Sequence, residues 1–235
     1  MPKPYLSVTI PAYNEAGTIQ KVVEDHLTVL EALQPELDGF EVLCLDDASH
    51  DNTCTILTKL ADQTKEIRVM RHTTNQGIYR SFRDLFHEAK GTHIFQTAAD
   101  DQWPAGNLVK LFHRMQKDRL DLVIGVRENR KKIYTPWRQF LSFGFNLIPK
   151  CLFGIDTKDA NGIKLGRKEI FTAPLMSQSF FGEIERIVEA KKRGFRIDCE
   201  SIDFLPRTQG RASGAKWRNI YMTFFDLMRY TVKRR

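Results

Sequence analysis

Between Leu6 and Val126, short apolar runs alternate with amphipathic runs of helical period. The strand-like runs are Leu6–Ile10, Glu41–Leu45, Ile67–Arg71, His93–Thr97 and Asp121–Val126, and the helical ones are Thr18–Leu33, Thr53–Gln63, Ile78–Ala89 and Asn107–Arg119. Such alternation predicts an α/β fold, a mainly parallel sheet covered by helices on both faces. At 235 residues the chain supports one substantial core rather than two. Ligands of open α/β sheets lie beyond the carboxyl ends of the strands, so the turns after the strands carry the functional information. Neither G-x-G-x-x-G nor G-x-x-x-x-G-K-[ST] occurs, which removes the usual dinucleotide and P-loop ways of cradling phosphate.

Two of those turns are distinctive. After Leu6, Val8 and Ile10 comes Pro11, expected to break the ladder, and Tyr13-Asn14-Glu15 then lead into the first helix. After Val42, Leu43 and Leu45 come the paired carboxylates Asp46 and Asp47, with Ser49 and Asp51 placed to cap a helix beginning near Asn52. Two adjacent acids closing an apolar strand are costly unless used.

SVTIPAYNE (Ser7–Glu15) and DDASHDNT (Asp46–Thr53), in strand-helix-strand context, resemble the family 2 glycosyltransferases, nearest the polyprenyl-phosphate branch typified by dolichyl-phosphate mannosyltransferase. The resemblance implies a glycosyltransferase-A fold and a UDP- or GDP-sugar donor. It places Pro11, Tyr13, Glu15, Leu45, Asp47 and Ala99 against base and ribose, with Asp100 also in the nucleotide site. The family's D-x-D element falls on Thr97–Pro104, where Ala98 replaces the first carboxylate and Asp100 is the second. Asp100 and Gln102 are then the expected ligands of a Mg2+ or Mn2+ ion, weakly held for want of the first acid. Arg127 matches an arginine that faces phosphate, for which its fork of donors is suited. Asp159, in the acceptor-loop segment Asp156–Lys164, is expected to line the reaction centre. Glu185, in Gly182–Phe195, matches a recurrent carboxylate. Arg207 and Arg211 are expected to close over the diphosphate, Ser213 standing where a lysine is usual. Asp100, Arg127, Asp159 and Glu185 form the expected catalytic set.

Charge lies at one end. Residues 207–235 hold eight basic side chains and one acid, a net +7 equal to that of the whole chain. Trp217, Ile220, Tyr221, Phe224, Leu227 and Met228 recur among them at helical spacing, which predicts a basic amphipathic helix lying on an anionic membrane surface rather than a nucleic-acid module. The expected division is a catalytic domain over 1–210 and a tail over 211–235. The apolar stretch Phe140–Phe153 is divided by Gly144, Asn146 and Pro149 and is shorter than the ~20 residues of a span. It reads either as a pair of interfacial helices or as ordinary core helices. Cys44, Cys54, Cys151 and Cys199 form no C-x-x-C, and no signal peptide is visible. The expected location is therefore cytoplasmic, peripheral at a membrane. The expected reaction is inverting sugar transfer to a polyprenyl phosphate or related acceptor. Two alternatives stay open. One is transfer to a glycan hydroxyl in cell-surface polysaccharide, using Asp156, Asp159 or Glu185 as base; the other is a non-catalytic nucleotide-binding relative.

Overall fold

The structure, a computed structural model, describes residues 3–127, 136–155, 158–206 and 217–233. In chain order the elements are β1 (Tyr5–Ala12), α1 (Ile19–Leu33), β2 (Gly39–Asp46), α2 (Thr53–Gln63), β3 (Ile67–Arg71), α3 (Ile78–Glu88), β4 (His93–Gln96) and α4 (Gly106–Asp118). They continue with β5 (Leu122–Arg127), α5 (Pro136–Phe153), β6 (Lys164–Arg167), α6 (Lys168–Phe171), α7 (Phe181–Lys192), β7 (Ile197–Ile202) and α8 (Trp217–Lys233). The expected alternation through β5 is borne out. The sheet order is β3-β2-β1-β4-β6-β5-β7. β6 runs antiparallel to both β4 and β5, and β7 lies parallel to β5.

Period-2 alternation assigns each strand residue to one of two cores. Leu6, Val8, Ile10, Val42, Cys44 and Phe95 pack with α1, α2 and α4. Leu43, Leu45, Ile94, Leu122 and Ile124 pack with α3, α6 and α7. Gly162 lets the turn before β6 press on β5, because a Cβ there would lie 1.9 Å from the Gly125 carbonyl oxygen.

Two expectations are corrected. Pro11 does not end β1, which runs on to Ala12 with Pro11 in register with Leu45. Ala12 accepts the Asp47 N–H and Thr9 accepts that of Thr97, so Pro11, in phase with Thr9, turns its missing donor toward the side where β4 has already ended. The apolar stretch before the β6 turn is one helix, α5, continuous through Gly144 and Pro149. An internal proline removes one ladder bond, and packing of Phe145, Ile148 and Phe153 against the second core holds the helix on both sides of it. Those three residues pack inward as a core helix would, while Phe143, Leu147 and Leu152 are exposed. α8 docks beside it, burying Leu227 and Tyr230, with the Tyr230 ring 5.7 Å from Phe153 and 5.5 Å from Phe181.

Candidate active site at the carboxyl ends of the strands

The two turns singled out in the sequence are laced together. The Asn14 N–H donates to Ser49 Oγ, the His50 N–H to Asn14 Oδ1, the Glu15 N–H to Thr53 Oγ1, and the Ala16 N–H to Asp51 Oδ2. Asn14 takes a left-handed φ of 55° to do so, a conformation that asparagine tolerates better than most residues. Asp51 accepts the Thr53 N–H from just outside α2, whose N-cap is Asn52, while Ser49, also expected to cap, serves the Asn14 N–H instead. Tyr13 stands 41% exposed at the rim, edge-on to His50. Pro11 and Leu45 are buried, and Leu45 has its side chain in the second core, which leaves only its backbone toward the turns.

Asp47 is buried and fully engaged. Its Oδ1 accepts from the Gln76 N–H at 2.8 Å and meets His72 Nδ1 at 2.7 Å, while Oδ2 accepts the Gly77 N–H at 2.8 Å. His72 in turn reaches Asp84 at 3.2 Å, which holds Arg80. Asp47 thus fixes the loop between β3 and α3. Asp46 is fully buried, accepting the Ser49 N–H and facing Arg71.

The loop after β4 carries the expected metal ligands. Asp100 is buried and accepts the Gln102 N–H at 3.3 Å. Ala99 is buried, its carbonyl accepting from Thr18 Oγ1. Asp101 turns away to Lys21 at 2.9 Å. Gln102 Nε2 donates to the Leu205 carbonyl and the Leu205 N–H donates to that of Gln102. Asn107 and Asp203 exchange a second reciprocal pair, reinforced by Lys110. The segment after β7 is therefore strapped to the Asp100 loop. Arg207 and Arg211, which follow it in sequence, lie outside the described residues, as does Asp156.

Arg127 and Asp159, assigned separate roles from the sequence, meet as a buried bidentate ion pair with both N–O distances 2.6 Å. The guanidinium lies over the adjoining rings of Trp103 and Phe204, 5.1 and 5.2 Å from their centroids, which are 4.7 Å from one another. Such stacking suits arginine, whose planar cation is weakly hydrated. Glu185 is placed elsewhere: it accepts the N–H groups of Met176 and Ser177 and the Ser177 hydroxyl, which shapes the loop before α7.

The structure also buries a carboxylate of α7 that sequence reasoning missed, Glu183. Its side chain pairs at 2.7 Å with Lys164, the fully buried first residue of β6. Burial alone would raise the Glu183 pKa, but Lys164 and Arg186 outweigh it and hold Glu183 below the usual glutamate range. The available signal was the E-x-E spacing itself, since residues two apart on a helix point in different directions.

Among the described residues no three His, Cys, Asp or Glu side chains converge as a metal cage. The donor set is one carboxylate, Asp100, and the oxygen of Gln102, whose amide nitrogen is bound by Leu205. Hard oxygen donors fit Mg2+ or Mn2+ in kind but supply few of the 6 or so positions such ions fill.

Paired acidic and aromatic turns at the ends of a mainly parallel sheet, with one reversed strand before the last pair, define the glycosyltransferase-A class. The fold matches glucosyl-3-phosphoglycerate synthase from Mycobacterium tuberculosis in complex with Mn2+, UDP and glucosyl-3-phosphoglycerate, at TM-score 0.70 and 16% identity over 96% of this chain and 79% of that one. It also matches mannosyltransferase PcManGT from Pyrobaculum calidifontis in complex with GDP-Man and Mn2+, at TM-score 0.65 and 17% identity over 97% and 65%. Residues 7–173 match the glycosyl transferase family 2 profile, and the chain belongs to that family. Glycosyltransferase AglD of Haloferax volcanii is 27% identical over 86% of this chain and 33% of its own length. A dolichyl-phosphate beta-glucosyltransferase of Dictyostelium discoideum is 26% identical over 70% and 54%. The chain thus spans a third to about half of these relatives.

Proposed function

We propose that this protein moves a sugar from a nucleoside diphosphate to a polyprenyl phosphate at a membrane surface. The observation that carries the reading is the single crown formed by the laced β1 and β2 turns, Asp47, the Asp100 loop and the Arg127–Asp159 pair. The names of the relatives support the acceptor class, and those of the fold neighbours support a UDP- or GDP-linked donor.

In this reading Tyr13, Glu15 and Asp47 frame base and ribose. Asp100 and Gln102 hold a divalent ion, which when bound offsets the diphosphate charge. A lipid phosphate is already anionic near neutral pH, so its oxygen attacks the anomeric carbon without a proton-abstracting base. The new C–O bond forms as the bond to the diphosphate breaks on the opposite side, which inverts the anomeric centre. The protein's work is orientation and charge stabilisation. Arg127, kept in place by Asp159 and two rings, contributes a fixed cation dipole. Arg207 and Arg211 complete the charge over the leaving diphosphate. A glycan hydroxyl acceptor would demand a base; of the three carboxylates named for that role, Asp159 is committed to Arg127 and Glu185 to loop N–H groups, and Asp156 lies outside the described residues.

The membrane part rests on α5 and α8. Phe143, Leu147 and Leu152 on α5, and Tyr221, Phe224, Phe225, Met228 and Val232 on α8, are all exposed. They supply most of the large exposed apolar side chains among the described residues, and those on α8 lie in the part of the chain that carries the basic excess. No helix among the described residues is long and apolar enough to cross a bilayer. An amphipathic surface of this kind lies in the interface, on the side where nucleotide sugars are supplied. In this division residues 1–210 are the catalytic domain and 211–235 the membrane-facing tail. The test is transfer of label from UDP-glucose or GDP-mannose to polyprenyl phosphate in vesicles containing anionic lipid. Labelled, acid-labile lipid product is expected; label passing only to a soluble glycan would reject the acceptor.

A further inference from the structure

The loop that Asp47 fixes is closed by a histidine. His72 is the first residue after β3, and its backbone N–H donates to the Asp46 carbonyl, continuing the pairing of β3 with β2. Its ring stands between two carboxylates, with Nδ1 2.7 Å from Asp47 Oδ1 and Nε2 3.2 Å from Asp84 Oδ2. The His72 side chain is 15% exposed, so the ring is largely buried but still meets solvent. Asp47 also accepts the N–H of Gly77, the N-cap of α3, and Asp84 lies about two turns further along that helix, on the same side. His72, Asp47 and α3 therefore form a closed triangle beside the β2 turn.

A proton decides whether that triangle closes. A neutral imidazole has one N–H donor and one acceptor nitrogen, whereas the imidazolium donates from both. With a carboxylate oxygen at each nitrogen, only the imidazolium makes both contacts. The neutral ring turns a lone pair toward one of the acids. The charged groups around the ring come from three elements. Asp46 and Asp47 stand at the end of β2, and Asp84 on α3. The cations are Arg71 at the end of β3, 3.4 Å from Asp46, and Arg80 and Arg83 of α3, 2.7 and 3.9 Å from Asp84. Each arginine is thus held by an acid, while the ring nitrogens face the carboxylates directly.

We infer that His72 is a positioning residue of the donor site: its imidazolium holds Asp47 and the head of α3 in place, so that nucleotide binding depends on its proton. This rests on the donor reading proposed above, in which Asp47 frames base and ribose. Loss of the proton replaces one charge-assisted contact by a lone pair facing a carboxylate, which loosens either Asp47 or the tie to α3. The arrangement that receives the nucleotide is then only one of several, and apparent affinity falls in proportion to the fraction of molecules that keep it.

The experiment is calorimetric titration of wild type, His72→Gln and Asp84→Asn with UDP and GDP in the presence of Mg2+. It is run in steps from about pH 6 to about pH 9, a span that takes in the charge change of histidine, with thermal melts at each step. Titration of the ligand is common to all three proteins and cancels in their affinity ratios. Relative to His72→Gln, wild-type affinity should fall about three- to tenfold as pH rises, a competent fraction of roughly a third to a tenth. The glutamine variant, which cannot carry the charge, should start weaker and show no such step. Asp84→Asn removes one acid from the ring and should move the step to lower pH. Parallel profiles in wild type and His72→Gln, with nucleotide bound, overturn the inference even where the variant melts lower, because a purely structural histidine changes stability without adding a pH step to binding. Should His72→Gln not fold, a step left at the wild-type pH in Asp84→Asn overturns it. Failure of wild type to bind either nucleotide at any pH overturns the donor reading as well.

Discussion

Replacing Asp159 by asparagine keeps the shape of the side chain and one carbonyl acceptor but removes the counter-charge of Arg127. The pair is almost dry, with Asp159 fully buried and the arginine side chain 8% exposed. Two charge-assisted bonds of 2.6 Å are at stake. Breaking a buried ion pair from one side costs about 3–5 kcal/mol, because the remaining charge stays desolvated. The rings of Trp103 and Phe204 contact the guanidinium in both forms, so their attraction largely cancels in the difference. At ~2–4 °C per kcal/mol for a chain of this size, the melting temperature should fall by roughly 6–20 °C. Urea denaturation followed by circular dichroism gives the free energy. The double variant Asp159→Leu with Arg127→Met should recover most of the loss, since well-packed apolar replacement of a buried pair is often near neutral. A loss below about 1 kcal/mol for Asp159→Asn, the scale of an exposed pair, would refute the argument from burial.

Asp100→Asn should abolish the increment that Mn2+ adds to nucleoside diphosphate binding while leaving the fold intact, as read by calorimetry with and without the ion. Glu183 titrates below its ordinary value of 4.5 in the folded protein, so its contribution to stability is present above that pH and is lost as pH falls through the lower folded value. Glu183→Gln should flatten the acid limb of the stability curve in that window, and an unchanged limb would contradict the pairing with Lys164. Phe224→Glu with Phe225→Glu, both on the exposed face of α8, should cut cosedimentation with anionic vesicles at least severalfold without moving the melting temperature.

Local pattern carried the first half of the chain well. β1 to β5 and α1 to α4 fall where alternation and periodicity place them, because each element buries one face of a locally coded pattern. The second half was less legible. β6 is only four residues long and β7, Ile197–Ile202, is only partly buried, so neither has a strong apolar signature. Pro11 and Pro149 were read as breaks because proline removes a donor, yet each sits where neighbouring structure makes that loss tolerable. Among the candidate site residues, Asp47, Asp100, Arg127 and Asp159 gather at one end of the sheet. Glu185 serves the loop before α7, and Glu183 takes the place beside the crown.

By itself the sequence determined a mainly parallel α/β sheet, two polar turns after its first two strands, an incomplete acidic loop at Ala98–Asp100 and a basic end with apolar residues at helical spacing, since these depend on residues near one another along the chain. The tertiary structure decided the insertion of β6 in reverse between β4 and β5, and with it the meeting of Arg127 with Asp159 and of Lys164 with Glu183 and Gln96. Those contacts join residues up to 68 positions apart, from Gln96 to Lys164. Their partners are chosen by strand register and helix packing, and periodicity along a single segment holds no record of either.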